Sequence, residues 1–239
     1  MLTKSERLNI LSSQEQFALY GLPDFDDSQR MEYFIFTEQE MARVLDQRSV
    51  HAQVYCALQI GYFKAKQAFF QFSWDEVKDD CTFILTRYFN DLAFLPIPIT
   101  KHEYYAQRAL IVDLFGYRLW AADFLPALVE RATQVVSRDV TPSFILVELI
   151  AHLNDQKIVR PGYTTLQSLI SETLSNERKR LGVLLTEMLD DSAKTALLQL
   201  LVRDDTLSGL AALKQDAKHF GYRMMVLERQ KRTALEPLY

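Results

Sequence analysis

Five stretches of helix-period apolar sequence are each led by a Ser or Thr with Glu or Gln three positions later: Ser12/Glu15, Thr37/Glu40, Ser73/Glu76, Thr100/Glu103 and Thr164/Gln167. Such a pair can close a capping box, in which each side chain satisfies the other residue's orphan backbone N–H at a helix start. Each precedes an apolar pattern of helical period, so the five predict five helix N-termini. Thr141-Pro142 predicts another, a cap followed by proline at the first helical position. Asp191-Ser192 and Thr206 or Ser208 are weaker signals of the same kind. The periodicity agrees. Ile145, Leu149, Ile150 and Leu153 fall on one helical face, as do Leu166, Leu169, Ile170, Leu174 and Leu181. Strand alternation is scarce, and Thr82-Phe83-Ile84-Leu85 reads as the middle of a helix. Only 7 glycines and 7 prolines are present, few for the tight turns of an all-β chain. The expectation is an all-α fold of roughly ten helices of ordinary globular length.

Hydrophobic residues make up 49% of the chain, enough to fill buried cores. The best domain boundary is Pro96-Ile97-Pro98, because prolines two apart stop helices and favour an extended link. A softer boundary falls near 175–182. The expected domains are 1–98, 99–175 and the start of a further helical region, 176–239. Charge is uneven along these pieces. Residues 1–98 hold 9 Lys+Arg against 14 Asp+Glu, residues 99–175 hold 7 against 8, and residues 176–239 hold 11 against 9. The net charge of −4 weighs against a uniformly basic nucleic-acid binder but leaves room for a local basic face. Cys56 and Cys81 lie in apolar helical patterns and read as small buried hydrophobes. The opening Met1-Leu2-Thr3-Lys4-Ser5-Glu6-Arg7 has no secretory pattern, and no uncharged apolar run is long enough to span a bilayer. A cytoplasmic protein without a membrane partner is expected.

Enzyme chemistry finds little to stand on. His51, His102, His152 and His219 are far apart in sequence, with no metal-ligand spacing between them. There is no glycine-rich phosphate loop and no nucleophile elbow. Asp79-Asp80, Asp190-Asp191 and Asp204-Asp205 sit where capping or solvated carboxylates are the default. No metal or organic cofactor is expected. Residues 57–74, ALQIGYFKAKQAFFQFSW, carry an aromatic run. Exposed aromatics can stack on bases, but core packing is the commoner use, so Phe63, Phe69, Phe70, Phe72 and Trp74 are assigned to the core. Lys64 and Lys66 stand near that helix's C-terminus, where cations are favoured and where phosphate contact is open to them.

Residues 158–181, IVRPGYTTLQSLISETLSNERKRL, allow two readings. Thr164 and Gln167 can cap a solvated helix that ends in a basic run. Alternatively Arg160, Thr164, Thr165 and the free N–H groups of the helix can hold a phosphate, with Arg178, Lys179 and Arg180 extending the positive surface.

At this stretch and at ALQIGYFKAK the chain resembles the N-terminal part of the large replicative transposases of the Tn-three family. Leu11-Ser12-Ser13-Gln14-Glu15-Gln16 resembles that family's opening helix, and Tyr33-Phe34-Ile35-Phe36-Thr37-Glu38 its aromatic step into a capped helix. Ala57-Leu58-Gln59-Ile60, the Phe115-Gly116-Tyr117-Arg118 turn, the Ile158-to-Leu166 turn and Leu210-Ala211-Ala212-Leu213-Lys214 follow in the same order. The resemblance covers essentially the whole chain.

It implies tandem helix-turn-helix-like (homeodomain-like) units that grip double-stranded DNA at the terminal inverted repeats of a transposon. It also implies that this chain is non-catalytic, since the family's Asp-Asp-Glu triad lies in a further domain that these 239 residues do not include. Self-association as a dimer belongs to the full-length proteins. DNA contacts are then expected from Arg48, His51, Lys64 and Lys66 in the first domain. Lys101, His102, Arg118, Arg160, Thr164 and Thr165 supply them in the second, and Arg178, Lys179 and Arg180 beyond it. The competing expectation is a helical protein–protein scaffold or regulator, suggested by the acidic first half and the leucines of 181–213.

Overall fold

The computed structural model describes residues 8–90 and 92–201, with 225, 226, 228, 229, 231 and 232 further on. The caps expected at Thr206 or Ser208, the helix at Leu210–Lys214, Asp204-Asp205, His219 and the opening Met1–Arg7 lie outside these residues. Ten α-helices are present among the described residues: α1 Ser13–Tyr20, α2 Asp27–Tyr33, α3 Glu38–Leu45, α4 Val50–Lys66, α5 Lys78–Tyr88, α6 Lys101–Phe115, α7 Leu125–Val136, α8 Pro142–Asp155, α9 Tyr163–Met188 and α10 Asp191–Leu201. No strand is formed among them; one isolated parallel bridge joins Arg118 to Ile158. The fold is all-α. No helix among the described residues is long and apolar enough to cross a membrane.

Three of the five expected boxes form as written. Ser12, Thr37 and Thr100 accept from the N–H of Glu15, Glu40 and Glu103, whose carboxylates accept in return from the cap N–H. A fourth box, Asp26 with Gln29, opens α2. Aspartate caps by the same geometry as serine, so a search for Ser and Thr alone passes over it. Thr141 precedes α8 with Pro142 at the first helical position.

Two boxes are corrected. Ser73 donates to Glu76 through its N–H and hydroxyl, both at 2.8 Å, but this closes a turn. Helix α5 opens only at Lys78, after Val77, which is 2% exposed. At the other site α9 begins at Tyr163, and the Gln167 amide donates to the Leu8 carbonyl at 2.8 Å instead of reaching back to Thr164.

The Glu15 and Glu103 carboxyls are held below the usual carboxylate range, first by the hydroxyls and then by the N–H groups of Ser12 and Thr100. At Glu76 the Ser73 N–H leads and its hydroxyl follows. A depressed folded pKa contributes stability that is present above the unfolded value, about 4.3, and is lost as pH falls through the folded one. Thermal unfolding followed by circular dichroism should give a melting temperature that declines below about pH 4.3. The decline should be shallower in Glu103→Gln, which keeps an acceptor without the titration.

The chain divides into two compact units, Met1–Ser175 and Asn176–Tyr239. The first contains two hydrophobic clusters. One is built around α4, whose residues 54–63 are all buried. A helix buried on every side reads as continuous apolar sequence, which is why ALQIGYF shows no polar stripe. Helices α2, α3, α5 and α6 pack against it. Phe63 and Phe70 are in this core, and Phe69, Phe72 and Trp74 pack against it. Cys56 and Cys81 are buried free thiols, pushed up by burial to about 12 and about 11. The cluster also takes Ile111, Val112 and Val159 from beyond Pro96-Ile97-Pro98, which lies in the non-helical stretch between α5 and α6. The second cluster joins Ile10 to Leu128, Ala132, Val135, Ile145, Leu149, Leu153, Leu166 and Ile170, from α7, α8 and the start of α9. Leu181, expected on the same face of α9, is 41% exposed.

Candidate nucleic-acid interface

The buried Gln107 amide in the middle of α6 donates to the Ala52 carbonyl in the first turn of α4 at 2.9 Å and to the Gln47 side chain at 3.3 Å. The first turns of the two helices also interact, His51 of α4 acting by charge on Glu103 of α6. Helix N-termini carry unpaired N–H groups and the positive end of the macrodipole, so two of them together favour an anion.

The basic side chains at these ends face solvent. Arg48, just before α4, is exposed, as are Lys101 and His102 in the first turn of α6. His51 is half-buried, with its Nε2 3.3 Å from the Ser49 hydroxyl. His51 and His102, 51 positions apart in the chain, both act by charge on Glu103, adding to the Thr100 hydrogen bonds that lower its pKa. Arg48 forms no hydrogen bond or ion pair among the described residues. Beside this rim lies a cleft of about 460 Å³ lined by Tyr55, Phe72, Trp74, Tyr104 and Tyr105, with Lys101 at its edge. Tyr55 stacks on Phe72 with centroids 4.6 Å apart, and burial pushes its hydroxyl up to about 12.

The other sequence-derived positions are placed differently. The Lys64 ammonium donates to the Ile35 carbonyl at 2.9 Å and pairs with buried Glu40 at 3.6 Å. The Lys66 ammonium donates to the Ala18 and Gly21 carbonyls, both at 2.8 Å, closing the end of α1. Both lysines tie elements of the first unit together. Arg160 reaches the Lys66 carbonyl, and its guanidinium sits 5.4 Å from the Tyr20 ring centroid. Arg118 is exposed, 4.8 Å over the Phe124 ring, and donates to the Gln156 carbonyl at 3.4 Å. Thr164 is exposed and Thr165 half-buried in the first turn of α9. In the second unit Arg178 and Lys179 are exposed, while Arg180 makes a bidentate pair with Glu177 at 2.8 and 2.7 Å.

One arginine escaped the sequence reading. Arg108 of α6 lies 5.0, 5.5 and 5.8 Å from the ring centroids of Phe69, Tyr104 and Tyr105. Tyr104-Tyr105-x-x-Arg108 puts an arginine three and four residues after two aromatics, a spacing that brings side chains together on a helix. That spacing was the available signal. Among the described residues no three His, Cys, Asp or Glu side chains group as metal ligands would.

A family model described as "Domain of unknown function (DUF4158)" matches residues 10–173, which span α1 to the first half of α9. No curated protein matches the chain.

Proposed function

We propose that this chain, which belongs to the DUF4158 family, is a non-catalytic DNA-end recognition module. It binds double-stranded DNA at terminal inverted repeats as the N-terminal part of a replicative transposase of the Tn-three kind. The observation that carries the reading is the approach of the first turns of α4 and α6, where His51 acts on Glu103, with Arg48, Lys101 and His102 exposed around them. The cations present positive charge, and the start of α4, which has no side-chain cap, adds free N–H donors, as a phosphate backbone requires. The aromatic cleft beside them adds surface on which a base or sugar can lie. The helices on either side of Pro96-Ile97-Pro98 act as helix-turn-helix-like units. In the first unit Arg118, Thr164 and Thr165 supply further contacts, and Lys64 and Lys66 support that unit through the carbonyls and carboxylate they hold. In the second unit Arg178 and Lys179 supply contacts of their own. The full-length protein works as a dimer in the cytoplasm, and strand cleavage belongs to its remaining part.

The test is binding of the purified chain to a duplex carrying a terminal inverted repeat that adjoins its own coding sequence, against a scrambled duplex, at two salt concentrations. Preference for the repeat and a steep loss of affinity with salt are expected. Arg48→Ala and Lys101→Ala should each lower the salt slope by about one unit with the fold unchanged. Equal binding to both duplexes, or unaltered slopes, would sink the assignment.

A second reading, a helical protein–protein scaffold, draws on the exposed apolar residues of the second unit. Val183, Leu185 and Met188 are 58, 51 and 75% exposed. A soluble monomer by light scattering across a hundredfold concentration range would count against it.

A further inference from the structure

The Arg160-Pro161-Gly162 turn borders an open pocket of about 200 Å³ in the first unit, lined also by Tyr20, Phe69, Phe70, Tyr104 and Arg108. Two guanidinium groups line it and no carboxylate does. Among the described residues neither Arg108 nor Arg160 forms an ion pair, and neither does Lys66, whose carbonyl Arg160 holds. Buried or half-buried cations without counter-ions are costly, and proteins ordinarily pair them. Here rings do part of that work. Arg108 is set against Phe69, Tyr104 and Tyr105, and Arg160 against Tyr20. Two polar atoms of lining residues, the Tyr20 hydroxyl and Arg108 Nε, are buried with no hydrogen-bond partner. Burial and the charge of Arg160 lower the pKa of Lys66, so positive charge is crowded here. Helix α9 begins at Tyr163, directly after pocket-lining Gly162, so its positive end stands at the rim.

We propose that this pocket is a binding site for a single phosphate group, held between the Arg108 and Arg160 guanidiniums at the start of α9. Planar guanidiniums match phosphate oxygens in bidentate fashion, and a helix N-terminus supplies N–H donors in the same place. The volume admits one phosphate with a few waters, at roughly 30 Å³ per water. The inference stands apart from the reading of the α4 and α6 ends. A free phosphate ion and a phosphate of a nucleic-acid backbone present the same chemistry to it.

Gly162 supplies a test that spares the fold. A side chain built there meets nothing within 4 Å. Titration of the full chain with inorganic phosphate at constant ionic strength, by calorimetry and by thermal shift, should show saturable binding in the native protein. Gly162→Gln should retain it. Gly162→Glu, which places a carboxylate at the rim, should weaken it by about tenfold or more. Arg108→Lys, which keeps the charge but loses the planar fork, should weaken it severalfold. No binding beyond that of chloride, or undiminished binding by Gly162→Glu with an unchanged helical spectrum, would overturn the proposal. Adding a 30-base-pair duplex then separates the sources. Competition with phosphate assigns the pocket to a backbone phosphate, and independent binding assigns it to a free one; either result leaves the pocket standing.

Discussion

Arg30→Met should destabilise the protein by about 3–5 kcal/mol. Arg30 of α2 donates from Nε to Asp80 of α5 at 2.8 Å, and from Nη1 to Asp27 at 2.9 Å. On the other side the Tyr62 hydroxyl of α4 donates to Asp80 at 2.7 Å. Asp80 is 5% exposed and sits where three helices meet. Burial, and then the Asp80 charge, push the Tyr62 hydroxyl far up, so it remains a donor throughout the accessible range. Removing Arg30 strands a carboxylate in the interior with one neutral partner. Urea denaturation measures the effect. A loss under about 1 kcal/mol would mean the pair behaves as an exposed one.

Gly61→Ala should lower stability by about 1–3 kcal/mol, and Gly61→Val by more. In the exposed middle of a helix the same change would add about 1 kcal/mol, because glycine is the costlier residue there. The sign reverses because Phe34 lies flat against α4 at this point. A Cβ on Gly61 would fall 2.2 and 2.3 Å from two carbons of the Phe34 ring. The ring has nowhere to go. It is fully buried, with Phe25, Tyr62 and Phe83 centroids at 5.5, 5.8 and 6.2 Å. Phe34→Leu in the Gly61→Ala background should recover part of the loss, because the smaller side chain makes room. A higher melting temperature for Gly61→Ala alone would show that the contact is loose.

Interactions that span three or four residues were legible without the tertiary structure. Ser12, Thr37 and Thr100 cap their helices because the partner of each is carried by the same turn, and nothing distant competes for it. Asp26 with Gln29 was equally local and needed only a wider choice of cap. The all-α class follows from such signals added along the chain. The positions misread are those where a distant group wins. The Ser73–Glu76 bond forms, yet Val77 is drawn into the first core and Trp74 donates to the Ile97 carbonyl at 3.0 Å, so the helix waits until Lys78. Gln167 is taken by Leu8, 159 residues away in sequence. Lys66 is spent on carbonyls at the end of α1, because a carbonyl at a packed helix end needs a donor and folding brought this one within reach, and Arg160 gives one N–H to the Lys66 carbonyl while it also lines the pocket beside Tyr20. The same long-range packing brought His51 of α4 within reach of Glu103 of α6 and tied Ala52 to Gln107. The sequence by itself determined where most helices begin and which residues avoid water. Only the tertiary structure decided which cations remain free to meet an anion, because that depends on which buried acceptors fold within their reach.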